Sequence, residues 1–186
     1  MGMENKVFIF CMMLLTVLPT SAQHGDALDD VLQHIPMVSV LILKASGAPD
    51  NNSWALTLGT CAATYVVGTG ATYGLKHTMH EWRPDNTDHY SFPSGHSMFA
   101  FAGATALRHE FGHLSPWVSI GGYGVATFVA VDRVCRDRHY VHDVLAGAAI
   151  GALSAELCFF LKNKLFKPEG LDLAFTGTQL AVSYRW

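Results

Sequence analysis

Apolar segments of helix length, separated by short polar clusters, constrain the fold of this chain more than any other feature of its sequence. From Trp54 to Leu75 almost every residue is apolar or small, and about 20 such residues suffice for a helix to cross the hydrocarbon layer of a bilayer. This stretch is the clearest candidate for a membrane span. Half of all residues are hydrophobic and only 15% are charged, which favours helices packed in lipid.

Four further segments have helical patterns. Asp26–Leu43 is amphipathic at its start and apolar afterwards, which predicts a helix that either crosses the membrane or lies at its interface. Apolar helices are expected next, in chain order, at Ser94–Arg108, Trp117–Val131 and His139–Leu161. Basic residues that suit the helix dipole and a cytoplasmic exit close the last one: Lys162, Lys164 and Lys167. The pattern predicts an all-α, membrane-embedded, antiparallel helical bundle.

Small residues recur at four-residue spacing along two of these helices. The pairs are Gly70 with Gly74 and Gly147 with Gly151. Small residues let helix backbones approach closely where lipid supplies no hydrophobic driving force, so both pairs are predicted packing sites.

The two ends of the chain differ from the bundle. Residues 1–22 are typical of a signal peptide, with an apolar run from Val7 to Leu18 and small residues up to Ala22. An uncleaved anchor is the alternative, but about 12 apolar residues fall short of the ~20 that a span needs. Residues 23–186 are expected to form one domain, whose last residues, from Leu171 to Trp186, predict a short strand-like tail or hairpin.

Charge and cysteine content exclude other classes of protein. The formal net charge is -3 and no run of Lys or Arg occurs, so the chain is not expected to bind nucleic acid. Cys61, Cys135 and Cys158 show neither metal-ligand nor disulfide-framework spacing, and we interpret them as small apolar residues.

Three polar clusters interrupt the helices: Lys76–Pro84, Pro93–His96 and Arg133–Asp143. If successive helices run in opposite directions, all three clusters emerge at the same face of the membrane. The sequence therefore predicts one site assembled from three separated segments.

The residue types in these clusters suit a phosphoryl group, whose transfer spreads negative charge over three oxygens. Lys76, Arg83 and Arg133 supply positive charge, and arginines can bind two oxygens at once. Ser94 and Gly95 stand at a helix start, where free N–H groups favour an anion and glycine leaves it room.

Two histidines are candidates for the chemical steps. His139 and Asp143 lie four residues apart, so the carboxylate is expected to fix the imidazole tautomer and leave the other nitrogen free to attack phosphorus. The intermediate would be a phosphohistidine. His96 is then available to protonate the leaving alkoxide and to activate water.

These clusters resemble the signatures of the type 2 phosphatidic acid phosphatase (PAP2) superfamily: Lys-x6-Arg-Pro, Pro-Ser-Gly-His and Ser-Arg-x5-His-x3-Asp. The resemblance implies a nucleophile at His139, a general acid at His96 and an orienting carboxylate at Asp143. It implies phosphate ligands at Lys76, Arg83, Ser94, Gly95 and Arg133, and catalysis with no metal or other cofactor. One departure is Asp132, which occupies the place of the serine before the arginine.

The expected function is hydrolysis of a lipid phosphate monoester or diphosphate, of the lipid A phosphate, polyprenyl diphosphate or phosphatidate class. The expected location is a bacterial inner membrane, with the active site facing the periplasm. Substrate lipid and membrane are the expected partners, and the sequence indicates no oligomeric state.

Three alternatives remain open at this point. A haloperoxidase is one, because the same kind of site can hold vanadate. A non-catalytic module that binds anionic lipid is another. A catalytic metal at His139, His142 and Asp143, or at His77 and His80, is the third. It is disfavoured because the two histidines of each set are three residues apart, whereas zinc-binding histidines on a helix stand four apart.

Overall fold

A computed structural model describes residues 27–50, 52–166, 172–175 and 180–183. The predicted signal peptide at residues 1–22 lies outside these ranges. The described residues form six helices, which confirms the predicted all-α bundle: α1 (Ala27–Leu32), α2 (Ile35–Ala45), α3 (Trp54–Met79), α4 (Gly95–Phe111), α5 (Pro116–Cys135) and α6 (Val141–Leu165).

Helix α4 lies at the centre of the bundle and packs against α2, α3, α5 and α6. Most of its side chains are buried, and many of them are alanines, as at Ala100, Ala102 and Ala104. Short side chains let the neighbouring helices approach α4 from several sides at once. Larger apolar residues, including Leu107 and Phe111, fill the space towards the end of the helix.

Helix α6 contacts α4 through the predicted glycine pair. A Cβ atom at Gly147 would collide with the carbonyl oxygen of Ser94, and one at Gly151 with that of Met98. This pair is therefore a packing site, as predicted. Gly70 and Gly74 lie on an exposed face of α3, where an added Cβ would meet no described atom within 4 Å, so the prediction for that pair is wrong for the described residues.

The expected single helix at Asp26–Leu43 is two helices, with a break at Gln33 and His34. Pro36 lies in the first turn of α2, where a backbone N–H makes no helical hydrogen bond. In a continuous helix the same position would need an N–H donor, which proline lacks. The expected helix at His139–Leu161 begins later, at Val141, so His139 lies in the connection that precedes α6.

Two helices of the described chain are long and apolar enough to cross a membrane by length and composition, α5 and α6. Helix α3 was expected to be the clearest span, and by this measure it is not, because threonines and glycines dilute its apolar character. Helix α6 nevertheless directs Leu145, Leu153 and Phe160 outwards. An outward apolar face is what a lipid-exposed helix requires.

The C-terminal residues form the predicted hairpin. Strands β1 (Asp172–Phe175) and β2 (Leu180–Ser183) pair antiparallel, with Asp172 opposite Ser183. Lys162 and Lys164 lie in the last turn of α6, as expected. Lys162 is also buried, and its Nζ lies 3.0 Å from Glu110 Oε1.

The glycine contacts predict a difference between two Gly→Ala substitutions. Gly151→Ala places a methyl group against the α4 backbone, and such overpacking costs about 1–3 kcal/mol. We expect Tm in detergent to fall by roughly 2–10 °C, given the size of the chain. Gly70→Ala is the matched control, because its Cβ enters open space and alanine favours a helix. Equal Tm values for the two variants would contradict the proposed backbone contact.

Candidate active site

The three polar clusters meet at one end of the bundle. The backbone N–H of Ser94 donates to the carbonyl oxygen of Asp143 at 3.0 Å, which joins the second cluster to the third. The backbone N–H of Asp85, just after the first cluster, donates to the carbonyl oxygen of Asp137 at 3.1 Å. The predicted antiparallel arrangement thus brings the three segments together.

His139 and Asp143 are both buried, and His139 Nδ1 lies 3.4 Å from Asp143 Oδ2. The same oxygen accepts hydrogen bonds from the hydroxyl of Ser91 and, at 2.9 Å, from the backbone N–H of Tyr140. Tyr140 is the N-cap of α6, so Asp143 caps the helix while it faces the histidine. This cap fixes the Asp143 carboxylate at the start of α6, so it faces His139 although His139 precedes the helix.

Burial lowers the pKa of His139 below its ordinary value of 6.5, and the positive charges of Arg83, Lys76 and Arg133 lower it further. The hydrogen bond to Asp143 acts in the opposite direction. The imidazole is therefore neutral at neutral pH, which is the form that can act as a nucleophile. Arg83, Lys76 and Arg133 are the three predicted cationic phosphate ligands. Because their charges act on the pKa of His139, all three lie near this histidine.

The loop between α3 and α4 fixes two of these cations, Lys76 in the last turn of α3 and Arg83 in the loop itself. Lys76 Nζ donates to the carbonyl oxygen of Tyr90 at 2.6 Å, and Arg83 Nε donates to Asp88 Oδ1 at 2.9 Å. Asp88 also accepts from the backbone N–H of Tyr90 at 2.8 Å. Arg83 thus uses its Nε for the loop, and its planar terminal end remains suited to two oxygens of a phosphate.

The start of α4 has a serine N-cap beside a glycine. Ser94 is the N-cap, and its hydroxyl accepts from the backbone N–H of Ser97 at 3.5 Å. A Cβ atom at Gly95 would meet no described atom within 4 Å. Helix N–H groups and open space therefore lie side by side, as a phosphate requires.

Two carboxylates of α1 complete the site, and sequence reasoning missed both. Arg133 Nη1 donates to Asp29 Oδ2 at 2.9 Å, and both side chains are buried. His96 Nε2 lies 2.9 Å from Asp30 Oδ1, which makes a second histidine–carboxylate pair. The sequence placed these aspartates on the polar face of an amphipathic helix. Ionisable residues in a membrane-embedded segment are usually functional, and that signal could have found them.

Asp132, the departure from the family signature, pairs with Arg136 at 2.9 Å from Nε to Oδ2. Arg133 keeps Asp29 as its carboxylate partner, so the substitution leaves the predicted phosphate ligand in place. Ser91 was also missed, because its role depends on a contact with Asp143 across 52 residues of sequence.

One group of side chains in the described part of the chain has the geometry to hold a metal ion: Glu81, His142 and Asp143. His142 Nε2 lies 2.8 Å from Glu81 Oε1 and 3.1 Å from Asp143 Oδ1. This group differs from the sequence alternative of His139, His142 and Asp143, because His139 is not a member.

Comparison with known proteins gives the same family as the motifs. The sequence profile of the PAP2 superfamily matches residues 53–167. A lipid A 1-phosphatase from Porphyromonas gingivalis is 36% identical over 154 residues, which are 82% of this chain and 35% of that protein. The chain thus spans about a third of the length of this relative.

Two solved structures share the fold. The structure of Aquifex aeolicus LpxE has a TM-score of 0.56 and 18% identity, and the match covers 82% of this chain and 94% of that one. A transmembrane PAP2-type phosphatidylglycerolphosphate phosphatase from Bacillus subtilis has a TM-score of 0.55 and 23% identity, with coverage of 88% and 97%. The likeness shows the fold, and the two long apolar helices α5 and α6 are consistent with a bundle in a membrane. With three signatures that depart from the family pattern only at Asp132, this helix arrangement and a profile match over residues 53–167, the chain belongs to the PAP2 superfamily.

Proposed function

We propose that this chain is a membrane phosphatase that hydrolyses a lipid phosphate monoester or diphosphate through a phosphohistidine intermediate at His139. The observation that carries the proposal is the buried pair of His139 and Asp143, surrounded by Lys76, Arg83 and Arg133. A neutral imidazole with a fixed tautomer inside a cationic pocket is equipped to attack phosphorus.

The reaction has two steps. His139 Nε2 attacks the phosphorus atom while the ester oxygen leaves with a proton from His96, which forms phosphohistidine and the free alcohol or lower phosphate. His96 then takes a proton from water, and the resulting hydroxide attacks phosphorus and releases inorganic phosphate. Asp143 holds the Nδ1 side of His139 throughout, and Asp30 holds His96. The same residues thus serve both directions of proton transfer.

The substrate class follows from similarity and location. The relative from Porphyromonas gingivalis is a lipid A 1-phosphatase, which favours lipid A phosphate over polyprenyl diphosphate and phosphatidate for this chain. We propose residues 23–186 as the phosphatase domain, preceded by a signal peptide at residues 1–22, in a bacterial inner membrane with the site facing the periplasm. The phosphate of an envelope lipid would reach the site at that boundary.

The first prediction concerns the nucleophile. Detergent-purified protein is expected to release phosphate from at least one member of a panel of these lipid phosphates in the presence of EDTA. His139→Ala should reduce turnover by at least about 1000-fold, because the nucleophile has no substitute. His113→Ala, which changes an exposed histidine outside the site, is the control and should retain wild-type turnover. Turnover that survives in His139→Ala would refute the covalent mechanism.

The second prediction concerns pH. The nucleophile must be unprotonated, and the pKa of His139 is lowered, so kcat/KM should fall on the acid side only below pH 6.5. Asp143→Asn removes the interaction that raises this pKa. The variant should therefore be slower, with its acid limb displaced to lower pH. Both enzymes are measured on one substrate, whose own ionisation is the same for both. An acid limb that does not move would contradict the assignment to His139.

The third prediction concerns Asp30 as a positioning residue for His96. Loss of a hydrogen bond to a charged group is worth about 1.5–3 kcal/mol. Asp30→Asn should therefore lower turnover of an alkyl phosphate by roughly 10-fold or more. Turnover of p-nitrophenyl phosphate should change much less, because its leaving group departs without a proton. Asp137→Asn, at an exposed aspartate of the same end, is the control. Equal losses on both substrates would indicate a merely structural role for Asp30.

A further inference from the structure

Glu81, His142 and Asp143 form a compact cluster beside the phosphate site. Glu81 belongs to the loop after α3, whereas His142 and Asp143 lie in the first turn of α6. The two carboxylate oxygens and the imidazole nitrogen that face one another all lie within 4.8 Å. His142 is 57% exposed, so the cluster can be reached from water.

The single proton at His142 Nε2 cannot form hydrogen bonds to both carboxylates of this cluster. The N–H at His142 Nε2 serves Glu81 Oε1 at 2.8 Å, and a neutral imidazole has no second hydrogen at that nitrogen. Asp143 Oδ1 is fully buried and receives no hydrogen bond from the described residues, although His142 Nε2 is only 3.1 Å away. A buried carboxylate oxygen without a partner is costly. A cation between the three atoms would remove that cost.

We propose that Glu81, His142 and Asp143 bind a divalent cation of the zinc class, and that the bound cation inhibits the enzyme. Zinc takes imidazole nitrogen and carboxylate oxygen at about 2.0–2.2 Å, which puts its ligand atoms about 3–3.5 Å apart in a tetrahedral set. The distances of 2.8 and 3.1 Å around His142 Nε2 are near that spacing. Imidazole ligation favours Zn²⁺ and Co²⁺ over Mg²⁺ and Ca²⁺, which prefer oxygen ligands.

The charge of the cluster also suits a divalent ion. Two carboxylates and a neutral imidazole carry a charge of −2, which one Zn²⁺ or Co²⁺ balances. The opposing charges are those of Lys76, Arg83 and Arg133, which lie on the phosphate side of Asp143. They weaken cation binding, and the water-exposed side of His142 is the side from which the cation enters.

The expected inhibition of phosphate hydrolysis rests on the proposed function. It follows because the two oxygens of the Asp143 carboxylate face different histidines. Oδ2 of Asp143 faces His139, whereas Oδ1 faces His142. A cation on Oδ1 draws negative charge away from Oδ2 and weakens its hold on the imidazole that attacks phosphorus. Because none of the phosphate ligands is touched, the cation should lower kcat and leave KM unchanged.

Cobalt provides a direct test of binding that does not depend on turnover. The full chain is purified in detergent, stripped with EDTA and titrated with Co²⁺, whose visible absorption reports coordination by nitrogen and oxygen. We expect one Co²⁺ per chain, displaced by Zn²⁺ and not by excess Mg²⁺. His142→Ala and Glu81→Gln should each abolish the signal. His80→Asn is the matched control, because it changes an exposed loop histidine of positive φ to a residue that tolerates this conformation.

Turnover of the lipid phosphate completes the test. Zn²⁺ should lower kcat of wild type and His80→Asn by about 10-fold or more, which corresponds to a loss of about 1.4 kcal/mol of transition-state stabilisation. EDTA should restore it, and His142→Ala should not respond. Co²⁺ bound equally by wild type and His142→Ala overturns the site, and Co²⁺ bound at the site with kcat unchanged overturns the inhibition. If no lipid phosphate is turned over even without metal, the proposed function fails while the cobalt signal still decides the site.

Discussion

Pairing of buried charge is the constraint on which the rest of this structure depends. A phosphate site needs several cations in one place, and a membrane bundle offers little water to solvate them. The chain meets this requirement by pairing cations at this end of the bundle with carboxylates, both the buried Arg133 and the partly exposed Arg83 and Arg138. Arg133 pairs with Asp29, Arg83 with Asp88 and Arg138 with Asp85. The pairs of Arg133 and Arg138 join distant parts of the chain, and the pair of Arg83 closes a loop. The same contacts therefore assemble the site and fix the connections between helices.

The close approach of α4 and α6 is the second requirement. Ser94 starts one helix and Asp143 lies in the first turn of the other, and their backbones are joined by a hydrogen bond of 3.0 Å. That distance is possible because Gly147 faces Ser94 without a side chain. Catalytic geometry at the end of the bundle is thus set by packing further along it. A substitution at the contact between α4 and α6 is therefore expected to disturb the site even where no predicted catalytic residue has changed.

Local signals in the sequence predicted most of the fold. The helix start at Ser94 and long apolar runs located the helices, and the strand-like residues from Leu171 to Trp186 located the hairpin. What escaped prediction depends on contacts between distant segments. The pair of Arg133 and Asp29 spans 104 residues of sequence, so the residues around Asp29 do not identify its partner, although an aspartate in a membrane-embedded helix signals a functional role. The ion pair of Lys162 was missed for the same reason, since its partner Glu110 lies 52 residues earlier.

Asp143 shows why single substitutions at this site need care. One of its oxygens caps α6, accepts from Ser91 and faces His139, while the other faces His142. Replacing the carboxylate therefore removes a helix cap, an orienting contact and the proposed metal ligand together. The loss of activity in such a variant cannot be assigned to any one of these roles. Substitutions of Ser91 and His142 separate them, because of the two Asp143 oxygens Ser91 contacts Oδ2, on the side of His139, and His142 approaches Oδ1.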